Sequence, residues 1–484
     1  MKTESRIIYP WIDGKNYETS NASIEELYSP WDKKLVAEVA MADSSTAETA
    51  IDSCRKAFEK NIKVSSAERG EWLRAAAGEI EKEKEAIIEI TMRALGKPRR
   101  ACGVEVARTV AFPRLCAEEL LRIEGDVLPL DALPMGVGRF GYTRYHPHGV
   151  IAAFTPFNAP SNLLMQKLAP AIAMGNSVLI KPAFEGVGEA KLIAKCFSRA
   201  GIPDGLINVV PCRRSVAADI VSHKAVALVT LTGGTEAGNA LASAAGAKPF
   251  VGELGGNSAN IVCADASLED AANRIAPSAF EASGQQCISA QRIIVEKTVL
   301  DEFLEFFITA AKSLIVGDPT LKDTDVGPMV NARNADRVEK MVEKAVSAGA
   351  KDVLPLKREG NIIHPTILVN PPKSASVVAD EIFGPVAVIQ VAEDVNDAIS
   401  VANDSAFGLQ SSCFTASLET AFKMSEELNV GSVWINEGSR FRMDNTPFGG
   451  INDSGYGREG VKYAMRELAY LKFTGIRFPN RSNK

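Results

Sequence analysis

The spacing of apolar residues changes character along the chain. Between about 45 and 125 they recur every three or four positions among charges, as in "STAETAIDSCRKAFEK" and "AERGEWLRAAAGEIEKEKEAIIEITMRALGK". That period matches one face of an α-helix and predicts amphipathic helices. Gly96 and Pro98 end the second of them. The next segment, "VGRFGYTRYHPHG" (137–149), is short, aromatic and β-prone, and predicts a strand pair standing out from the body.

From residue 150 the rhythm becomes strand, helix, strand. "VIAAF" and "SVLIK" flank a helical "LLMQKLAPAIAMG"; "LINVVP" and "ALVTLTG" follow further helical stretches. A second series holds "ANIVCA", a helix through 268–283, "RIIVEK", a helix through 300–313, then "AVIQVA", "SSCFTA" and "SVWIN". Apolar runs alternating with amphipathic helices predict parallel sheets covered by helices. The expected fold class is therefore α/β, with two domains joined at the glycine-rich "GELGGN" (252–257). The C-terminal "ELAYLKFTGIRF" predicts a last helix and an edge strand available to another subunit.

Composition narrows the classes. The 484 residues suffice for two or three domains, with 46% hydrophobic and 24% charged residues in the balance of a globular protein. The net charge of −6 is dispersed, with no basic run to suggest a nucleic-acid or anionic-membrane partner. The first residues, "MKTESRIIYPWIDGK", lack the apolar core of a signal peptide. Eight cysteines without a CxxC pair and four scattered histidines outline neither a disulfide framework nor a metal site. A cytoplasmic setting with reduced thiols is expected.

One cysteine differs from the rest. Cys287 lies in "EASGQQCISAQR", among small and polar residues between a helix and a strand, where reactive groups are commonly presented. A thiol needs help to ionise near neutrality. Glu253, at the end of an apolar strand in "GELGGN", could serve as a general base. Asn158, in "FTPFNAP", follows a strand of the expected parallel sheet, and its amide could donate to an oxyanion. Lys181 in "IKPA" could bond a ribose or phosphate, and "LTGGTEAG" (231–238) opens a helix suited to a pyrophosphate. Taken singly, each also fits a plain role: buried thiol, hinge glutamate, turn asparagine.

Together, "TPFNAP", "IKPA", "LTGGTEAG", "ELGGN", "GQQC", "EIFGP" and "PFGGINDSGYGREG" resemble the aldehyde dehydrogenase superfamily over roughly residues 10–478. The resemblance implies Cys287 as nucleophile, Glu253 as base, and Asn158 with the Cys287 N–H as oxyanion donors. It implies an NAD or NADP site at Thr155, Pro156, Phe157, Lys181, Gly233, Gly234, Thr235, Glu381 and Phe383. It further implies a cofactor-binding domain over 1–128 and 148–252, a catalytic domain over 253–464, and an oligomerisation arm at 129–147 and 465–484, in a homodimer or homotetramer. Members that pass the acyl group to coenzyme A lack the carboxylate at the Glu253 position, so hydrolysis to an acid is expected.

The departures concern cofactor and substrate. NAD-preferring members carry a glutamate three residues after the ribose lysine, where this chain has Phe184 followed by Glu185. Arg213 or Arg214, in "VVPCRRS", could meet a 2′-phosphate. Ala159 stands where many members have an aromatic ring, and Gln166 and Gln286 add polarity. Arg442 and Arg108 lie on segments that border the substrate in members taking anionic aldehydes, with Arg440 a further candidate; Arg442 could instead pair with Asp444. A buried arginine without a partner would await an anion, so a small carboxylate-, sulfonate- or phosphate-bearing aldehyde is expected. The competing readings are neutral or aromatic aldehydes, a thiol esterase, and a non-catalytic protein of this fold.

Overall fold

Two mainly parallel sheets organise the chain in this computed structural model, which describes residues 7–19 and 22–479. Residues 1–6, 20, 21 and 480–484, the outer parts of the expected 1–128 and 465–484 segments, lie outside the described residues. The eight-stranded sheet runs Gly455–Tyr456, Phe250–Glu253, Val226–Thr232, Val150–Phe154, Ser177–Lys181, Ile207–Val209, Trp11–Ile12, Lys15–Asn16. Its five middle strands are parallel, and antiparallel partners close both edges. The seven-stranded sheet runs Lys351–Leu354, Thr366–Val369, Val386–Ala392, Arg292–Glu296, Ala259–Val262, Gln410–Phe414, Ser432–Ile435, parallel except at its first strand. Helices cover both faces of a parallel sheet, so its strands read as unbroken apolar runs; every residue of Val150–Phe154 is buried.

Three expectations are corrected. The long helical pattern before Gly96 is two helices, Ser66–Lys82 and Lys84–Leu95, broken at Glu83. The run Glu81 to Glu85 has no apolar residue to hold a continuous face on the core. The segment 137–149 is no strand pair within itself. It gives one strand, Arg139–Pro147, paired antiparallel with Ala469–Arg477 from the far end of the chain. Gly141 sits mid-strand rather than in a turn, where a Cβ would come within 2.8 Å of the Phe473 ring. The last helix, Val461–Glu467, reaches only the first residue of the expected stretch, nearly all of which is strand. Strands Ser23–Tyr28 and Leu35–Met41, in a further small sheet, carried no clear signal in the sequence.

Asn176 joins three parts of the first core. Its Oδ1 accepts from the Gly149 N–H at 3.0 Å, and its Nδ2 donates to Ala171 O at 3.2 Å and Leu468 O at 2.9 Å. Asn176→Ala leaves these groups unpaired in a buried place. The expected loss is about 2–4 kcal/mol of unfolding free energy in a denaturant titration, and an unchanged midpoint would contradict it.

Candidate active site

The nucleophile loop begins where a helix is forced to stop. Leu268–Phe280 ends three residues earlier than its pattern predicts, because Ala282, Ser283 and Gly284 all have left-handed backbone, at φ 51°, 61° and 61°. Such conformations are unfavourable for alanine and serine and persist only when their surroundings fix them. The Ala282 N–H donates to Asp325 O at 3.0 Å, and Ser283 Oγ donates to Gly327 O at 2.8 Å. A Cβ on Gly284 would lie 2.3 Å from Gly384 O. The "GELGGN" strap packs on the other side, where a Cβ on Gly256 would lie 2.5 Å from the carbonyl oxygen of Cys287.

This loop sets Cys287 where two cavities meet. One, of about 590 Å³, is lined by Arg108, Asn158, Gln286, Cys287, Arg440 and Arg442 among others. The other, of about 500 Å³, is lined by Thr155, Pro156, Phe157, Lys181, Gly233, Gly234, Arg214, Glu381 and Phe383, and again by Asn158 and Cys287. Among the eight cysteines, Cys287 is the one that is not buried. Its backbone N–H and the side-chain amide of Asn158 have no hydrogen-bond partner among the described residues. Two donors are therefore available beside one thiol.

The second cavity has the parts of a dinucleotide site. Gly233 and Gly234 lead into the helix Thr235–Ala245, and a Cβ on Gly234 would meet nothing within 4 Å, so the approach to the helix N-terminus is open. Glu381 Oε1 accepts from the Gly256 N–H at 3.0 Å, which ties it to the strap behind Cys287. Phe157 and Phe383 meet edge to face at 5.7 Å. Two expected contacts lie off this cavity. Thr235 is not among its lining residues, and its hydroxyl donates to Asp453 O. Arg213 turns to Glu25, at 2.6 Å, whereas the exposed Arg214 lines the cavity beside Glu236.

The first cavity corrects the expectation of two partnerless arginines. Arg108 makes a two-nitrogen pair with Asp444, at 3.1 and 2.6 Å. Arg442 pairs with Glu459 at 3.0 Å, not with Asp444, and stacks 3.7 Å over the Phe448 ring. Its Nε nevertheless stays buried without an acceptor. Arg440 is held by Glu281 and by Gln286 Oε1. Gln166 does not line the cavity; its Nε2 donates to Asp444 at 2.7 Å. Lys97, Glu105, Lys167 and Glu459 were not singled out by sequence reasoning. Their signal lay in charged residues placed on otherwise apolar helix faces or between glycines.

A model of the aldehyde dehydrogenase family matches residues 17–474. The chain belongs to the aldehyde dehydrogenase family. It is 37% identical over 459 residues to a 3-sulfolactaldehyde dehydrogenase of Priestia aryabhattai, covering 95% of each chain. Aldehyde dehydrogenase 21 from Physcomitrella patens, solved with its reaction product succinate, superposes with a TM-score of 0.95 at 32% identity, over 99% of this chain and 100% of that one. An NADP-dependent glyceraldehyde-3-phosphate dehydrogenase from Bacillus halodurans, solved with NADP, gives 0.94 at 32% identity, over 97% and 99%.

Electrostatics in this aldehyde dehydrogenase hold both protons in place. Burial pushes the Cys287 thiol up to about 12, and the nearby carboxylates Glu381, Glu253 and Glu459 push the same way against Arg442. Glu253 is buried, with no hydrogen-bond partner on either oxygen. Burial first, then the charge of Glu459, raise it well above the usual carboxylate range, opposed by Lys167, Arg442 and Arg458. Glu459 titrates low, held by Lys167 at 2.8 Å and Arg442 at 3.0 Å despite its burial. Glu253 lines neither cavity. Its Oε1 lies 2.8 Å from where a Cβ on Gly449 would stand. Without added cofactor, alkylation of Cys287 by iodoacetamide should be slow at pH 7 and rise about tenfold per pH unit, because only the thiolate reacts. A rate that levels off below pH 8 would contradict this field.

Proposed function

We propose that the enzyme oxidises a small anionic aldehyde to its carboxylic acid with NAD or NADP, through a thioester on Cys287. The observation that carries this reading is the meeting of the two cavities at Cys287 and Asn158. The Cys287 thiol gives its proton to solvent, the sulfur adds to the carbonyl carbon, and the Asn158 amide and Cys287 N–H hold the oxyanion. An oxidised dinucleotide bound in the second cavity would supply the hydride acceptor. Lys181, Gly233, Gly234, Glu381 and Phe383, which line that cavity, would hold it. When the hydride leaves the carbon with its electron pair, the C–O double bond re-forms as a thioester. Water then adds, the S–C bond breaks, and acid departs. Glu253 takes the proton of that water by a rotamer change, since its carboxyl now lies against Gly449.

Spare hydrogen-bonding capacity supports the substrate class. The arginines that wall the first cavity are already ion-paired, Arg108 with Asp444, Arg440 with Glu281 and Arg442 with Glu459, so an anion would be met by a guanidinium N–H left over. Arg442 keeps a buried, unused Nε–H for it. The Priestia relative's sulfonated aldehyde is of this chemistry. The exposed Phe140, Leu471, Phe473 and Ile476 of the arm suit a second copy, so a cytoplasmic homodimer or homotetramer is part of the proposal. Among the described residues no helix is long and apolar enough to cross a membrane.

Rapid mixing separates the half-reactions. Glu253→Gln should give a burst of one reduced nicotinamide per site and then stall, and Cys287→Ala should give none. In the wild type, hydrolysis should speed up as pH rises, because a raised pKa makes the base form of Glu253 scarce at neutrality. A missing burst in Glu253→Gln with cofactor still bound would move that carboxylate to the earlier step.

An aldehyde panel tests the anchor. Arg442→Leu should cost about 2–5 kcal/mol, or thirty- to several-thousand-fold in kcat/KM, for anionic aldehydes and little for propanal. Arg108→Leu should cost less, because its bonded nitrogens serve Asp444. A wild type that prefers neutral aldehydes would end the anionic reading. For the cofactor, Arg214→Ala should raise KM for NADP and spare NAD, and Arg213→Ala should be silent; equal effects on both cofactors would return Arg214 to the surface.

A further inference from the structure

In the wall of the first cavity lies an ion pair, Lys97 with Glu105, to which the proposed reaction gives no step. Gly96 caps the helix Lys84–Leu95 in left-handed backbone, φ 66°, where a Cβ would lie 2.3 Å from Pro328. The turn sends Lys97 inward, 8% exposed, onto Glu105 of the helix Arg99–Glu119. Its Nζ donates to Glu105 Oε2 at 2.5 Å and to the backbone oxygen of Asn158 at 3.0 Å. The other carboxylate oxygen, Oε1, accepts from the Ser161 N–H at 2.8 Å, Ser161 Oγ at 2.6 Å and the Asn162 N–H at 3.2 Å. Those N–H groups open the helix Pro160–Ala173, whose own N-cap residue, Ala159, makes no side-chain cap bond. Glu105 supplies the cap from another helix, with the charge that suits a helix N-terminus.

We propose that the buried Lys97–Glu105 pair positions Asn158 as an oxyanion donor. The pair grips the chain just after that side chain, at the carbonyl of Asn158 itself and at the N–H groups of Ser161 and Asn162. Ahead of Asn158 the chain is held at Thr155, which bonds the backbone of Lys181 and Ala183, so the pair completes the second anchor and with it the direction in which the Asn158 side chain leaves. Asn158 has no side-chain bond to a described residue that would aim its amide, so its aim comes from the backbone. A buried ion pair contributes little net stability, because desolvation offsets the attraction, whereas apolar side chains of like volume would hold the helices as well. What charge adds here is direction. An oxyanion donor acts by being in place before charge develops, and a misplacement of about 1 Å can cost on the order of a hundredfold in rate. Lys97 and Glu105 are positioning residues in this account, which rests on Asn158 being the oxyanion donor.

The test is a double-mutant cycle read in a single turnover, as the rate of the reduced-nicotinamide burst. Asn158→Ala should slow the burst roughly a hundredfold or more. Lys97→Met should slow it about tenfold or more, with cofactor Kd, aldehyde KM and Cys287 alkylation rate within about twofold of wild type. The double variant should be no slower than Asn158→Ala within about twofold, because a residue acting through Asn158 has nothing left to act on. Glu105→Gln, which keeps the shape and weakens the cap, should show the same non-additivity and serves if Lys97→Met does not fold. Independent losses that multiply in the double variant, or a full burst in both single pair variants, would overturn the proposal. So would a raised KM for anionic aldehydes at an unchanged burst rate, which would make Lys97 a substrate contact. If Asn158→Ala itself keeps a normal burst, the oxyanion reading falls first, and the pair's role with it.

Discussion

A charge taken out of water must be matched by another charge or be neutralised by a proton, and the active site is organised around that constraint. Burial and the carboxylates Glu381, Glu253 and Glu459 outweigh Arg442 at Cys287, so its thiol holds the proton until positive charge arrives. Glu253, buried with both oxygens unbonded, holds its proton for the same reason. Where a buried charge must persist, it is paired: Glu459 with Lys167 and Arg442, Glu105 with Lys97, Asp444 with Arg108. Cys287 and Glu253, the proposed nucleophile and base, thus both hold their protons at rest.

The fold supplies positions for these groups through strand ends and tight backbone. Thr155 to Asn158 follow the strand Val150–Phe154, Lys181 ends Ser177–Lys181, and Glu253 ends Phe250–Glu253, all in one parallel sheet. The nucleophile comes from the other sheet's territory, delivered by three left-handed residues that stop a helix short. Glycines at 256 and 284 let backbone approach where a Cβ would collide. The cost of about 1–3 kcal/mol for each of Ala282 and Ser283 falls where Cys287 is aimed, and the bonds that they donate to the carbonyl oxygens of Asp325 and Gly327 hold them there.

Much of this was legible in the sequence because it is local. Apolar runs such as "SVLIK" and "RIIVEK" mark buried parallel strands, and "GQQC", "ELGGN" and "TPFNAP" carry the family resemblance at the residues lining or flanking the cavities. What the sequence did not reveal depends on partners distant in the chain. Arg108 meets Asp444 from 336 positions away, and Arg442 chooses Glu459 over the nearer Asp444. No periodicity separates a charge that will be paired in the interior from one left in water, so Glu105 and Lys167 read as ordinary helix charges and Lys97 as part of a turn between helices. The break at Glu83 and the early stop at Phe280 were hidden likewise, since both lie within patterns that still read as helical.

The most direct test of the account is the chemical identity of the intermediate. Glu253→Gln enzyme, mixed with cofactor and an anionic aldehyde and quenched in acid within the burst, should gain one acyl group by intact mass. Peptide mapping should place it on Cys287, and omission of the oxidised cofactor should abolish it. An acyl group on any other residue, or none while reduced nicotinamide has formed in full, would contradict a hydride transfer that passes through a thioester at the junction of the two cavities.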